Sequence, residues 1–172
     1  MQTSITSRAQ VHVHRFSLLV MLGVPLLAIF LQAYVPIHFR LFSFLDLPLV
    51  IVIFFAVERH EPVAGMLMGA LVGLVQDGLT QQPIGLYGIA KTVVGFLASS
   101  LGVRFDAENP SSRFLVTVGF YLLHQGVYFV VGRGLAGEAM QFRWGHLAIA
   151  ALVNGALAVP LFALLDQAKQ ST

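Results

Sequence analysis

Residues 62–103 read PVAGMLMGALVGLVQDGLTQQPIGLYGIAKTVVGFLASSLGV. Two apolar runs, 62–79 and 84–103, are parted only by the polar turn Thr80-Gln81-Gln82-Pro83. A bilayer core of about 30 Å takes roughly 20 apolar residues per helix, so each run is long enough to cross. The first run carries Gly65, Gly69 and Gly73 at steps of four, which places them along one slowly turning ridge. The second carries Gly88, Thr92, Gly95, Ser99 and Gly102, at steps of four, three, four and three. Small residues in such a seam let two helix backbones approach closely inside lipid. The short turn makes the two helices antiparallel neighbours, and their small faces are fitted to meet. The glycine ridge reads as a packing groove for a helix of this chain or for another protein, and the spacing alone leaves both choices open.

On either side of this hairpin the chain continues in the same manner. Further apolar runs cover 16–35, 47–57, 114–131 and 146–165, giving about six helices. The expected architecture is an all-α integral membrane protein, a compact bundle of transmembrane helices over 16–166, with short tails at 1–15 and 167–172. The second run is the short one. Asp46 and Glu58 bracket eleven apolar residues, and Asp46 with Pro48 reads as a helix start, an acceptor at the cap and Pro in the first turn. A full crossing is expected there, with local thinning of the bilayer. The connections Glu58-Arg59-His60-Glu61-Pro62, 104–113 and 132–145 are turn-like, and none is large enough to be a domain.

Composition agrees. Of 172 residues 57% are hydrophobic and 10% are charged, and the mean hydropathy is +0.81. Soluble domains carry about 25% charge. The formal charge of +2 comes with no Lys/Arg block, so nothing suggests a nucleic-acid partner. The chain has no cysteine, which excludes disulfides, thiolate metal sites and a cysteine nucleophile. The first apolar run begins like a secretory signal but is too long for a signal core and is followed by no A-x-A site, so it reads as a retained helix that directs insertion.

Lys and Arg favour the cytoplasmic side. With the N-terminus inside, the inner segments hold Arg8, Arg15, Arg59, Arg104, Arg113 and Lys169, and the outer ones Arg40, Arg133 and Arg143. Both termini are therefore expected in the cytoplasm, with Trp144 at the outer interface.

Polar groups inside the runs need partners, because charge in lipid is costly and usually faces protein or water. Asp77 continues the glycine ridge, and Lys91 sits between Gly88 and Gly95. An Asp77–Lys91 ion pair near the outer face is expected to brace the hairpin. The neighbouring reading is a partner or ligand contact. His124, Gln125 and Asn154 lie mid-span, suited to interhelical hydrogen bonds. No second histidine stands at metal-ligand spacing, and no G-x-S-x-G, H-E-x-x-H or P-loop motif occurs, so neither metal, cofactor nor catalytic residue is expected. Glu58 and Glu61 read as a solvated turn.

Together these residues resemble the MreD family of bacterial rod shape-determining membrane proteins. Asp46 and Pro48 open a short apolar helix, although the family more often places Pro before Asp. A charged turn leads to a Gly-rich helix ending Gly73-Leu74-Val75-Gln76-Asp77, then Pro83-Ile84-Gly85-Leu86, then Val94-Gly95-Phe96. The motifs cover about a third of the chain and the layout all of it. The resemblance implies a non-enzymatic member of the cell-elongation machinery in the inner membrane, working with MreC, the MreB cytoskeleton, RodA and a class B penicillin-binding protein in lateral peptidoglycan synthesis. It further implies a likeness to the S-components of energy-coupling-factor vitamin transporters. In that alternative, Lys91, His124, Gln125 and Asn154 would line an outward pocket.

Overall fold

The computed structural model describes residues 17–81, 83–106, 109–134, 137 and 143–167. The tail 1–15 with Arg8 and Arg15, and the end of the chain with Lys169, lie outside the described residues. Six α-helices follow in order: α1 Leu18–His38, α2 Leu47–Arg59, α3 Pro62–Thr80, α4 Leu86–Leu101, α5 Pro110–Gly134 and α6 Trp144–Asp166. Short 3-10 helices cover Arg40–Phe44 before α2 and Gly102–Arg104 after α4. The described residues contain no strand. Five helices, all but α2, are long and apolar enough to cross a membrane.

Helix ends follow from local chemistry. Ser17 caps α1 by accepting from the Val20 N–H at 3.3 Å. Asp46 caps α2 by accepting from the Leu49 N–H at 3.1 Å, with Pro48 in the first turn. α2 and α3 both end on residues in left-handed conformation, His60 (φ 53°) and Gln81 (φ 54°). Gly85, at φ 105°, turns the chain into α4, a conformation that a side chain would strain.

α2 is the axis of the bundle. It touches α1, α3, α4, α5 and α6, and every residue from Pro48 to Glu58 is buried. A helix apolar on all sides belongs in a core. Its thirteen residues rise about 20 Å, less than the ~30 Å hydrocarbon core, yet α2 runs from one end of the bundle to the other. Protein surrounds this helix on all sides. Phe54 packs edge-on against Phe55 and Phe162, tying α2 to α6.

Contacts at the two ends show that successive helices alternate in direction. At one end Arg59 meets Met21 of α1, Gly102 lies against Val57 and His60, and Arg113 of α5 bonds Asp166 of α6. At the other, Leu47 meets Gln32, Phe44 stacks on His146 and Asp46 meets Asn154. The start of α1 and the end of α6 thus share one end. Glu58, expected in a solvated turn, is buried at that same end near Arg113, while Glu61 is exposed.

Candidate functional site

The α3–α4 hairpin is the most extensive contact between elements. Gly65 lies against Gly95 and Ser99, Gly69 against the Lys91 carbonyl, and Gly73 against Tyr87 and Gly88. A Cβ at any of the three would overlap backbone atoms of α4. The small residues of each helix therefore serve the other helix. Gly65, Gly69, Gly73, Gly88 and Gly95 are buried within this chain, so the ridge does not present a groove to another protein. Thr92 turns its hydroxyl to the Gly88 carbonyl at 2.6 Å, Ser99 is buried against Gly65, and Gly102 serves α2 rather than α3.

Asp77 and Lys91 are both fully buried, and they do not bond to each other. The Asp77 carboxylate accepts from the backbone N–H groups of Gly85 (2.9 Å), Tyr87 (2.9 Å) and Gly88 (3.1 Å). Those are orphan donors at the start of α4, where partial positive charge favours a carboxylate. Gly85 has no side chain of its own to cap the helix, so Asp77 supplies the cap from α3. The expected Asp77–Lys91 pair fails because these backbone donors occupy both Asp77 oxygens.

Lys91 finds a different acid. Its Nζ donates to Asp46 Oδ2 at 2.8 Å and to Oδ1 at 3.0 Å. His124 Nε2 lies 3.4 Å from the same ammonium, and the Tyr87 ring centroid is 5.0 Å away. A lysine ammonium has three donors and no acceptor. The third donor is left for His124 Nε2, which accepts it in the tautomer that carries its proton on Nδ1. Tyr87 stacks on His124 and on Tyr128, roofing the ammonium with aromatic faces.

Asn154, fully buried on α6, completes the centre. Its Oδ1 accepts from the Asp46 N–H, and its Nδ2 donates to the Phe44 and Ala150 carbonyls, each at 2.8 Å. The Leu47 N–H donates to Gln32 Oε1 at 3.1 Å. The first residues of α2 are thus held by α1, α4 and α6, and α5 closes on the same lysine through His124. Gln125 stands outside this centre and donates to the Tyr121 hydroxyl at 3.0 Å.

The structure therefore brings Asp46, Lys91, His124 and Asn154 together across 108 residues of sequence. The chain alone ranks Asp46 as a helix cap and gives no reason to join it to Lys91. The one local signal is that α2, apolar on every face, suits a central position in which its cap would also be shielded from solvent. Arg113 and Asp166 were missed for a related reason. α5 begins four residues earlier than expected, and its first turn faces the end of α6.

Chemically the centre is a clamp. Both carboxylate oxygens of Asp46, the ammonium of Lys91 and the amide of Asn154 are bonded within the protein, and none of the latter two is accessible. Among the described residues no group of three His, Asp or Glu side chains is placed to hold a metal ion.

No curated protein and no solved structure matches the chain. The sequence model of one family, described as rod shape-determining protein MreD, matches residues 14–168 of the 172-residue chain. That span includes all six helices, the hairpin with Asp77 and the clamp around Lys91. The chain belongs to the MreD family, and its role is in rod shape determination.

Proposed function

We propose that this protein is a non-enzymatic scaffold of the bacterial rod complex in the inner membrane, both termini in the cytoplasm, binding MreC and through it supporting lateral peptidoglycan synthesis. MreB, RodA and a class B penicillin-binding protein form the wider assembly. The carrying observation is that the intramembrane polar groups are spent on holding the bundle together. Lys91, His124 and Asn154 are wholly buried, and Asp46 nearly so. A rigid bundle with lipid-facing apolar helices is suited to presenting fixed surfaces to other membrane proteins.

The alternative of a vitamin-binding S-component loses support on the same ground. Its pocket groups are taken up within the bundle, Lys91 by Asp46 and His124, Asn154 by Asp46, Phe44 and Ala150, and Gln125 by Tyr121. The partner surface also differs from a glycine ridge, since α4 fills that ridge and Asp77 is buried. What remains exposed at that end is the turn before α4, where Ile84 is 84% exposed. Contact with MreC is assigned to this turn and to the apolar faces beside it.

Pull-down from membranes with mass spectrometry of co-purifying chains tests the proposal. Recovery of MreC, reduced by Ile84→Glu with the bundle intact, supports it. Recovery of an ABC-type energising module overturns it.

A further inference from the structure

A groove of about 320 Å³ runs between α1 and α3, lined by apolar side chains including Leu26, Ile29, Leu67, Leu71 and Val75, with Arg59 at one end. We propose that it holds one acyl chain of a phospholipid whose zwitterionic headgroup bears a primary ammonium, the phosphate on Arg59 and the ammonium on Glu61.

Length argues first. On α3 the lining runs from Ala64 to Val75, eleven steps along the helix, or about 17 Å at 1.5 Å per residue. Half of a ~30 Å hydrocarbon core is about 15 Å, so the groove reaches from one interface to the midplane, the depth of one leaflet. Width argues next. Spread along that length, the volume corresponds to a channel narrower than the 10–12 Å diameter of a helix with its side chains. A hydrocarbon chain enters such a slot, whereas a partner helix would ride over its rim.

Charge then selects the headgroup. Arg59 and Glu61 flank the turn between α2 and α3, at the interface end of the groove. Their side chains pair at 2.9 Å, that of Arg59 being 27% exposed and that of Glu61 50%. Among the described residues Arg59 makes one hydrogen bond from each terminal nitrogen, to Met21 Sδ and to Glu61. Guanidinium has five N–H donors, so donors remain for a phosphate. A phosphate–ammonium dipole laid antiparallel to the Arg59–Glu61 dipole gains at both ends. An anionic headgroup without a cation gains at Arg59 and is repelled at Glu61. A quaternary ammonium brings charge but no N–H donor to the carboxylate.

The test uses the full chain, purified in mild detergent, exchanged into an equimolar mixture of phosphatidylethanolamine, phosphatidylcholine and phosphatidylglycerol, and read by native mass spectrometry. One phosphatidylethanolamine per chain is expected, preferred about tenfold, the size of one charge-assisted hydrogen bond. Arg59→Gln should lower phospholipid retention by about tenfold. Glu61→Gln should keep a phospholipid bound and erase the preference for ethanolamine over choline. Leu71→Trp, at a lipid-facing position, should fill the slot and displace the lipid. Phosphatidylglycerol bound as well as phosphatidylethanolamine, retention unaffected by Arg59→Gln, or a polypeptide crosslinked to Leu71→Cys in membranes in place of lipid would each overturn the proposal.

Discussion

Replacing Lys91 by Met strands the Asp46 carboxylate in the bundle. In the native protein that carboxylate takes two hydrogen bonds from Nζ, at 2.8 and 3.0 Å, and its side chain is 10% exposed. Removing one partner of a buried pair costs about 3–5 kcal/mol, because the other charge is left without compensation. For a chain of this size about 1 kcal/mol moves the unfolding midpoint by roughly 2–4 °C, so Lys91→Met should unfold some 6–20 °C lower. Adding Asp46→Asn removes the stranded charge. It also keeps an acceptor for the Leu49 N–H, since Asn caps a helix about as well as Asp. The double variant should recover to within about 2 kcal/mol of wild type, because no charge is then left buried without a partner. The assay is thermal unfolding in detergent across the four-member cycle, which isolates the pairwise coupling. Lys91→Met with wild-type stability, or a double variant no better than Lys91→Met, would refute the clamp. Rod shape supported in cells by the stable double variant would show that the pair acts through architecture alone.

The glycines divide into two groups with opposite outcomes. Gly69→Ala drives a Cβ into the Lys91 carbonyl and should cost about 1–3 kcal/mol or more by overpacking. Gly126→Ala meets nothing within 4 Å and should gain up to about 1 kcal/mol from helix propensity, both read as unfolding midpoints. Asp77→Ala deprives the N–H groups of Gly85, Tyr87 and Gly88 of their acceptor. Loss of about 2 kcal/mol of local stability should speed hydrogen exchange at the start of α4 about 30-fold, with α6 unchanged. Thr117→Val removes a fully buried hydroxyl that has no hydrogen-bond partner among the described residues, and it should leave stability unchanged or raise it by up to about 1 kcal/mol in the same thermal assay.

Much of this architecture can be read along the chain. Long apolar runs with polar breaks mark five spans, since lipid permits backbone only where every hydrogen bond is closed within a helix or barrel. The paired small residues mark α3 and α4 as neighbours, because each face is defined by local periodicity and the turn between them is too short for another arrangement. The starts at Asp46 and Pro48 are legible for the same local reason. The boundary of α5 is less so, because Pro110 fits equally a loop and a first helical turn, and the helix absorbs Arg113.

Which buried charge meets which is a different kind of question. Spacing puts Asp77 and Lys91 on facing helices, and only the fold shows that the backbone donors at Gly85, Tyr87 and Gly88 reach Asp77 first. Lys91 is thereby left for Asp46, 45 residues away, with His124 and Asn154 arriving from α5 and α6. The amino-acid order by itself determined the medium, the number of helices and the close hairpin, all set by hydrophobicity and contacts between near neighbours. Tertiary structure alone decided that α2 is the axis and that four distant polar groups share one centre. A desolvated charge takes whichever partner geometry brings within 3 Å, and that depends on how all six helices pack at once.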